Sequence, residues 1–123
     1  MENMTNEAPC ENIGELPVPP PEIDATLSVL GGKWKLLILW QLVNRPYRFN
    51  ELRRAIAGVS QHMLTTQLRE LESQGVISRT IYPEVPPRVE YALTEHGKSL
   101  RSVMEALAEW GQVHLSRKRE TTR

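Results

Sequence analysis

Residues 83–87, Pro-Glu-Val-Pro-Pro, constrain this chain more than any other stretch. Three prolines in five positions fix φ and remove backbone donors, so the segment cannot be helix or central strand. The sequence alternates on both sides of it. Val76 to Tyr82 (VISRTIY) is rich in β-branched residues. Arg88 to Leu93 (RVEYAL) puts Val89, Tyr91 and Leu93 on one face and Arg88, Glu90 and Ala92 on the other. The region reads as a β-hairpin with a short, stiff tip flanked by Arg79 and Arg88.

A helix is predicted directly before the hairpin, over Ser60 to Gly75 (SQHMLTTQLRELESQG). Leu64, Leu68 and Leu71 form one stripe, while His62, Thr66, Arg69 and Ser73 lie opposite. Ser60 suits an N-cap and Gly75 a C-terminal stop. Ahead of it, Phe49 to Ile56 predicts a short helix with Phe49, Leu52 and Ile56 inward and Arg53 and Arg54 on its flank. The two helices are joined by Ala57-Gly58-Val59, a brief glycine-bearing turn. That pairing is a helix-turn-helix, and the hairpin after it makes a winged helix.

The remaining elements fit around this unit. Lys33 to Asn44 is apolar on nearly every side; a buried strand is the alternative, but its length and the closing Asn44 and Pro46 favour helix. Trp34 and Trp40 within it are expected in a core or an interface. A shorter helix is predicted from Glu22 to Leu30, with Ile23, Leu27 and Leu30 on one stripe, ended by Gly31-Gly32. Thr94 is placed to cap a long last helix, Glu95 to about Leu115, with the stripe Leu100, Val103, Met104, Leu107 and Trp110. Its final turns find no cover within so small a domain. Residues 1–21 are acidic and hold five of nine prolines, so a flexible tail is expected there, and a basic frayed tail at residues 116–123. Residues 22–115 form the folded domain.

Formal net charge is zero, but the charge is unevenly placed. Residues 1–32 carry six acids and no base, and residues 33–88 carry nine bases against four acids. The basic middle holds the exposed helix and the hairpin, and a local patch matters more for phosphate contact than the total. No apolar run is long enough to span a bilayer, and the acidic N-terminus is no secretory signal, so a cytoplasmic protein with no membrane partner is expected. The single Cys10 has no partner for a disulfide or zinc site, and acidic neighbours disfavour its thiolate. His62, His96 and His114 fall on different elements, and no nucleophile, phosphate-loop or metal-spaced motif is present. No enzyme, cofactor or metal is expected.

The segments GGKWKLLIL (31–39), RFNEL (48–52), GVSQHMLTTQLRELE (58–72) and GVISRTIYPEVPPRVEYALTEHGKSL (75–100), with Trp110-Gly111, resemble the HxlR-type family of bacterial winged helix-turn-helix regulators, relatives of the MarR type. The resemblance covers about Asp24 to Gly111. It implies a mainly α fold with a small β-hairpin wing and a dimeric DNA-binding regulator. Many members carry a cysteine just before the first helix, and in some it senses oxidants or electrophiles. Pro21 stands there in this chain, a departure that speaks against thiol sensing.

The resulting expectation is a homodimeric transcriptional regulator, a repressor, that binds a near-palindromic operator on double-stranded DNA. Helix 60–74 would enter the major groove and wing 79–88 would lie on backbone or minor groove. Ser60, Gln61, His62, Thr65, Thr66 and Arg69 are the candidate contacts on the helix; Arg69 suits either guanine or phosphate, and Gln61 suits adenine. Arg48, Arg79 and Arg88 are expected mostly on backbone or a narrow minor groove. Leu100, Val103, Met104, Leu107 and Trp110, with Ile23 and Leu27 of the first helix, are the candidate dimer residues. A small-molecule or redox effector is compatible with this reading, though no residue identifies one. The competing reading is a winged-helix module for protein contact alone, which would be expected to keep fewer arginines around helix and hairpin.

Overall fold

The computed structural model describes residue 18 and residues 20–121. Cys10 and nearly all of the acidic tail lie outside the described residues. The chain divides into two compact units, residues 1–31 and 32–123. In the first, helix α1 (Pro21–Leu30) begins one residue earlier than the sequence suggests, because Pro21 occupies its first turn, where a missing N–H costs nothing. Ile23 and Leu27 are exposed on it.

The second unit runs α2 (Lys33–Leu42), β1 (Tyr47–Arg48), α3 (Phe49–Ala55), α4 (Gln61–Ser73), β2 (Ile77–Tyr82), β3 (Arg88–Leu93), α5 (Glu95–Lys98) and α6 (Arg101–Thr121). Length decided the ambiguous apolar run correctly in favour of helix. It is not covered on every side, however: Ile38, Leu39 and Leu42 are buried, while Leu37 and Trp40 are exposed. The core joins those three to Leu52 and Ile56 of α3, Leu64, Leu68 and Leu71 of α4, and Val76 and Ile77 leading into β2. Burying a Leu or Ile side chain of this kind contributes roughly 1.5–3 kcal/mol. The leucine stripe on α4 is therefore what holds that helix against the body of the unit.

The hairpin pairs from Ile77↔Leu93 to Tyr82↔Arg88, with residues 83–87 as its tip. A third strand was not foreseen. The two residues of β1 pair with β3 through Tyr47↔Tyr91 and Arg48↔Glu90, giving a three-stranded antiparallel sheet in the order β1-β3-β2. Two residues leave no alternation to detect, so nothing local in the sequence announces this strand.

The last helix also differs from expectation. Thr94 caps only the four-residue α5, accepting from the Gly97 N–H at 2.9 Å, and α6 begins after Ser99 and Leu100. Thr94 Oγ1 also donates to the Gly75 carbonyl at 2.7 Å. A side chain at Gly97 would run into the Val76 carbonyl, so the close approach of α5 to the start of β2 requires glycine there. Helix α6 then continues to Thr121, past the expected end at Leu115 and through most of the stretch expected to fray. Met104 is 2% exposed and belongs to the core of its own protomer, which corrects its place on the dimer stripe.

Candidate nucleic-acid interface

Helix α4 is set by its two ends. Ser60 Oγ accepts from the Met63 N–H at 3.0 Å, satisfying one donor of the first turn. At the other end Gly75 has φ +78°, its N–H donates to the Glu72 carbonyl, and the Val76 N–H reaches back to Leu71. This is the paired C-terminal closure that favours glycine. Gly58, at φ +85°, supplies the left-handed turn between α3 and α4. The helix-turn-helix predicted from sequence is thus fixed by three small residues at its joints.

The packed leucines turn the opposite face outward. Gln61, His62 and Arg69 are exposed, and Thr65 and Thr66 are half-buried. Thr65 donates its hydroxyl to the Gln61 carbonyl at 2.9 Å, which occupies its proton. The side chains of His62 and Arg69 hold no hydrogen bond or ion pair with the described residues. Arg53 and Arg54, exposed on α3, are in the same position and join the set of candidate cations. Ser60 serves as the helix cap, so its hydroxyl is already committed as an acceptor.

The remaining arginines are differently placed. The Arg48 backbone N–H donates to Glu51 Oε1 at 2.8 Å at the start of α3. That hydrogen bond, helped by Arg45, outweighs desolvation and holds the Glu51 carboxyl below its ordinary range. The Arg48 side chain is exposed on the sheet edge. Arg79 on β2 lies 3.6 Å from Glu72 of α4, a pair joining the hairpin to that helix. Arg88 is engaged on three sides. Its guanidinium lies 3.9 Å over the Tyr82 ring, 2.8 Å from Glu90 and 3.0 Å from Glu84. Burial pulls the guanidinium pKa down, but those carboxylates outweigh it and leave the group above its ordinary value.

One structural residue was missed. Lys35 of α2 meets Glu70 of α4 at 2.8 Å with its side chain only 13% exposed, tying the two helices together. A lysine in an apolar run is a signal that such a partner is needed, since a buried charge without one is costly. Among the described residues no group of three or more His, Cys, Asp and Glu could hold a metal. No described helix is long and apolar enough to cross a membrane.

The candidate dimer residues of α6 differ in exposure. Val103, Leu107 and Trp110 are exposed along α6, with Trp110 at 68%, and Val113 and Leu115 extend the exposed apolar set. Leu100 is half-buried. Trp110 stacks on His114 with ring centroids 5.0 Å apart.

Residues 29–119 match the family model described as HxlR-like helix-turn-helix. An HTH-type transcriptional regulator of Bacillus subtilis strain 168, YtcD, is 50% identical over 95 residues, covering 77% of this chain and 75% of that protein. An HTH-type transcriptional regulator of Methanothermobacter thermautotrophicus is 51% identical over 92 residues, 75% of this chain and 70% of the relative. Among solved structures, the redox regulator HypR in its reduced form superposes with a TM-score of 0.76 at 41% identity, over 80% of this chain and 98% of HypR.

Proposed function

This chain belongs to the HxlR-like helix-turn-helix family, a family of transcriptional regulators with a DNA-binding helix-turn-helix and not of enzymes, and on that premise we propose that it represses transcription as a homodimer on a near-palindromic operator. The observation that carries the DNA reading is the two-sidedness of α4. Its leucines are buried, while Gln61, His62 and Arg69 stand exposed, and the last two hold no hydrogen bond or ion pair with the described residues. In this reading α4 enters the major groove, where amide, imidazole and guanidinium groups can meet base edges. Thr65 and Thr66 flank it, and Arg48, Arg53 and Arg54 supply backbone contacts. The protein acts in the cytoplasm.

Dimerisation through α6 is supported by Val103, Leu107 and Trp110, which recur at spacings of four and three on an exposed face. One winged helix reads too few base pairs to be selective among millions of competing sites, and a two-fold pair doubles the contact. The test is selection of bound sequences from a random duplex pool, followed by titration in salt. A near-palindrome should emerge, with half-site centres about 10 to 10.5 base pairs apart or a multiple of that. If about six to ten phosphates are neutralised per dimer, affinity falls by roughly three to five decades between 50 and 200 mM salt. A pool that returns no enriched sequence, with binding indifferent to salt, would leave the protein-contact reading in its place.

A further inference from the structure

We propose that Arg88 is a positioning residue that locks the shape of the wing, and that it does not bind DNA phosphate. The proposal rests on the wing's being part of the DNA interface, and it reverses the role that a wing arginine suggests from sequence.

Tyr82 and Arg88 are cross-strand partners at the last rung before the tip. Glu84 lies inside the tip, and Glu90 is two residues along β3, on the same face as Arg88. A single guanidinium therefore joins the last rung, the tip and the strand. One nitrogen donates to Glu90 at 2.8 Å, the other to Glu84 at 3.0 Å, and the plane covers the Tyr82 ring at 3.9 Å. The Nε is buried without a hydrogen-bond partner. Both terminal nitrogens already donate to carboxylates and the Nε is buried, so a phosphate would have to compete with Glu84 and Glu90 for the guanidinium. Only 25% of the Arg88 side chain is exposed, against 45% for Arg79.

Charge points the same way. Residues 77–93 carry two arginines, Arg79 and Arg88, and two glutamates, Glu84 and Glu90, so the wing has no net charge of its own. Arg79 is paired with Glu72 outside it. Beside the paired Arg79 and Glu84 and the hydroxyl of Thr80, the wing exposes two apolar side chains, Ile81, 57% exposed, and Val85, fully exposed among the tip prolines. Apolar contacts from those two side chains to a duplex would depend on how well the tip is held. Fixing a five-residue tip in advance removes conformational entropy that binding would otherwise have to remove.

The two roles predict opposite signs. The experiment uses the full chain and its selected operator, measuring affinity as a function of salt for wild type, Arg88→Lys, Arg88→Gln and Glu90→Gln. Amide hydrogen exchange across residues 82–88 is measured in the DNA-free proteins. A clamp needs the planar, two-pronged guanidinium, so Arg88→Lys fails despite keeping the charge. All three variants should weaken binding by about five- to tenfold, leave the salt slope unchanged, and speed exchange at the tip. A phosphate contact would give near-normal affinity for Arg88→Lys and tighter binding for Glu90→Gln, which frees the cation. It would also flatten the slope by about 1.8 per dimer in Arg88→Gln, at about 0.9 for each of two contacts. Any of these three results overturns the proposal. If the wild type binds no duplex, the DNA reading fails separately and the exchange arm alone decides: faster tip exchange in Glu90→Gln supports the clamp, and unchanged exchange refutes it.

Discussion

Arginine count is a poor guide to contact, because each arginine here has a different neighbourhood. Arg69 is exposed on α4 without a hydrogen bond or ion pair to the described residues, though its charge reaches Tyr91; Arg79 leans on Glu72, and Arg88 meets an aromatic ring and two acids. Sequence spacing located all three on the right elements and put Glu90 on the face of Arg88, but it could not reveal that Glu84 folds back onto the same guanidinium or that the fold brings Glu72 to Arg79. Base choice is expected to sit at the front of α4, where Gln61 and His62 are exposed in its first turn. Replacing either by Ala should change the preferred base at one position of each half-site, costing about 1–3 kcal/mol of discrimination there. Selection repeated with the variants reads this directly, and an unaltered consensus would move recognition elsewhere. Cys10 is expected to be inert although HypR, a structural relative, is named a redox regulator. Acidic sequence neighbours disfavour a thiolate, so Cys10→Ser should leave operator binding and its response to diamide unchanged. An oxidant that releases DNA from wild type and not from the variant would make the tail a sensor.

At the level of elements, joints carried more information than interiors. Ser60, Gly58 and Gly75 mark the ends of α4 and the turn before it, and each does in the structure what its chemistry implies. Gly75→Ala should therefore destabilise the fold by about 1 kcal/mol, the cost of an L side chain in the left-handed region. No atom lies within 4 Å of the added Cβ, so the penalty is conformational and not steric crowding. Thermal unfolding should show a loss of several degrees in Tm with the same cooperativity; an unchanged Tm would mean that the left-handed turn does not limit this closure. The hairpin was equally legible, because three prolines leave its tip few options. What escaped were features without a periodic signature. Two-residue β1 is defined by its partner β3, and the break between α5 and α6 falls at Ser99 and Leu100 within what reads as one helical pattern. Met104 shares the stripe of Val103 and Leu107, and a helical wheel cannot tell a residue facing its own core from one left uncovered.

For the whole molecule the quantity to test is the proposed joining of two copies. Exposed Val103, Leu107 and Trp110 on one helix form an apolar surface of the kind that pairing removes from water. Leu107→Asp should give a folded monomer by light scattering, and operator affinity should fall by about a thousandfold or more, towards the non-specific level. A monomer that still binds its operator as tightly as wild type would refute both the pairing and the palindrome. The attachment of that helix to the reading unit matters as much as the pairing. The hydroxyl of Thr94 ties the Gly75 carbonyl, at the end of α4, to the first turn of α5, and Met104 anchors α6 in the core. If two copies pair through α6, so little play in this linkage turns distance into information. Half-sites one turn apart, roughly 34 to 36 Å, present the same side of the duplex, whereas half a turn more presents the wrong side with every base correct. The length of the spacer, which no side chain need touch, then becomes a letter of the operator.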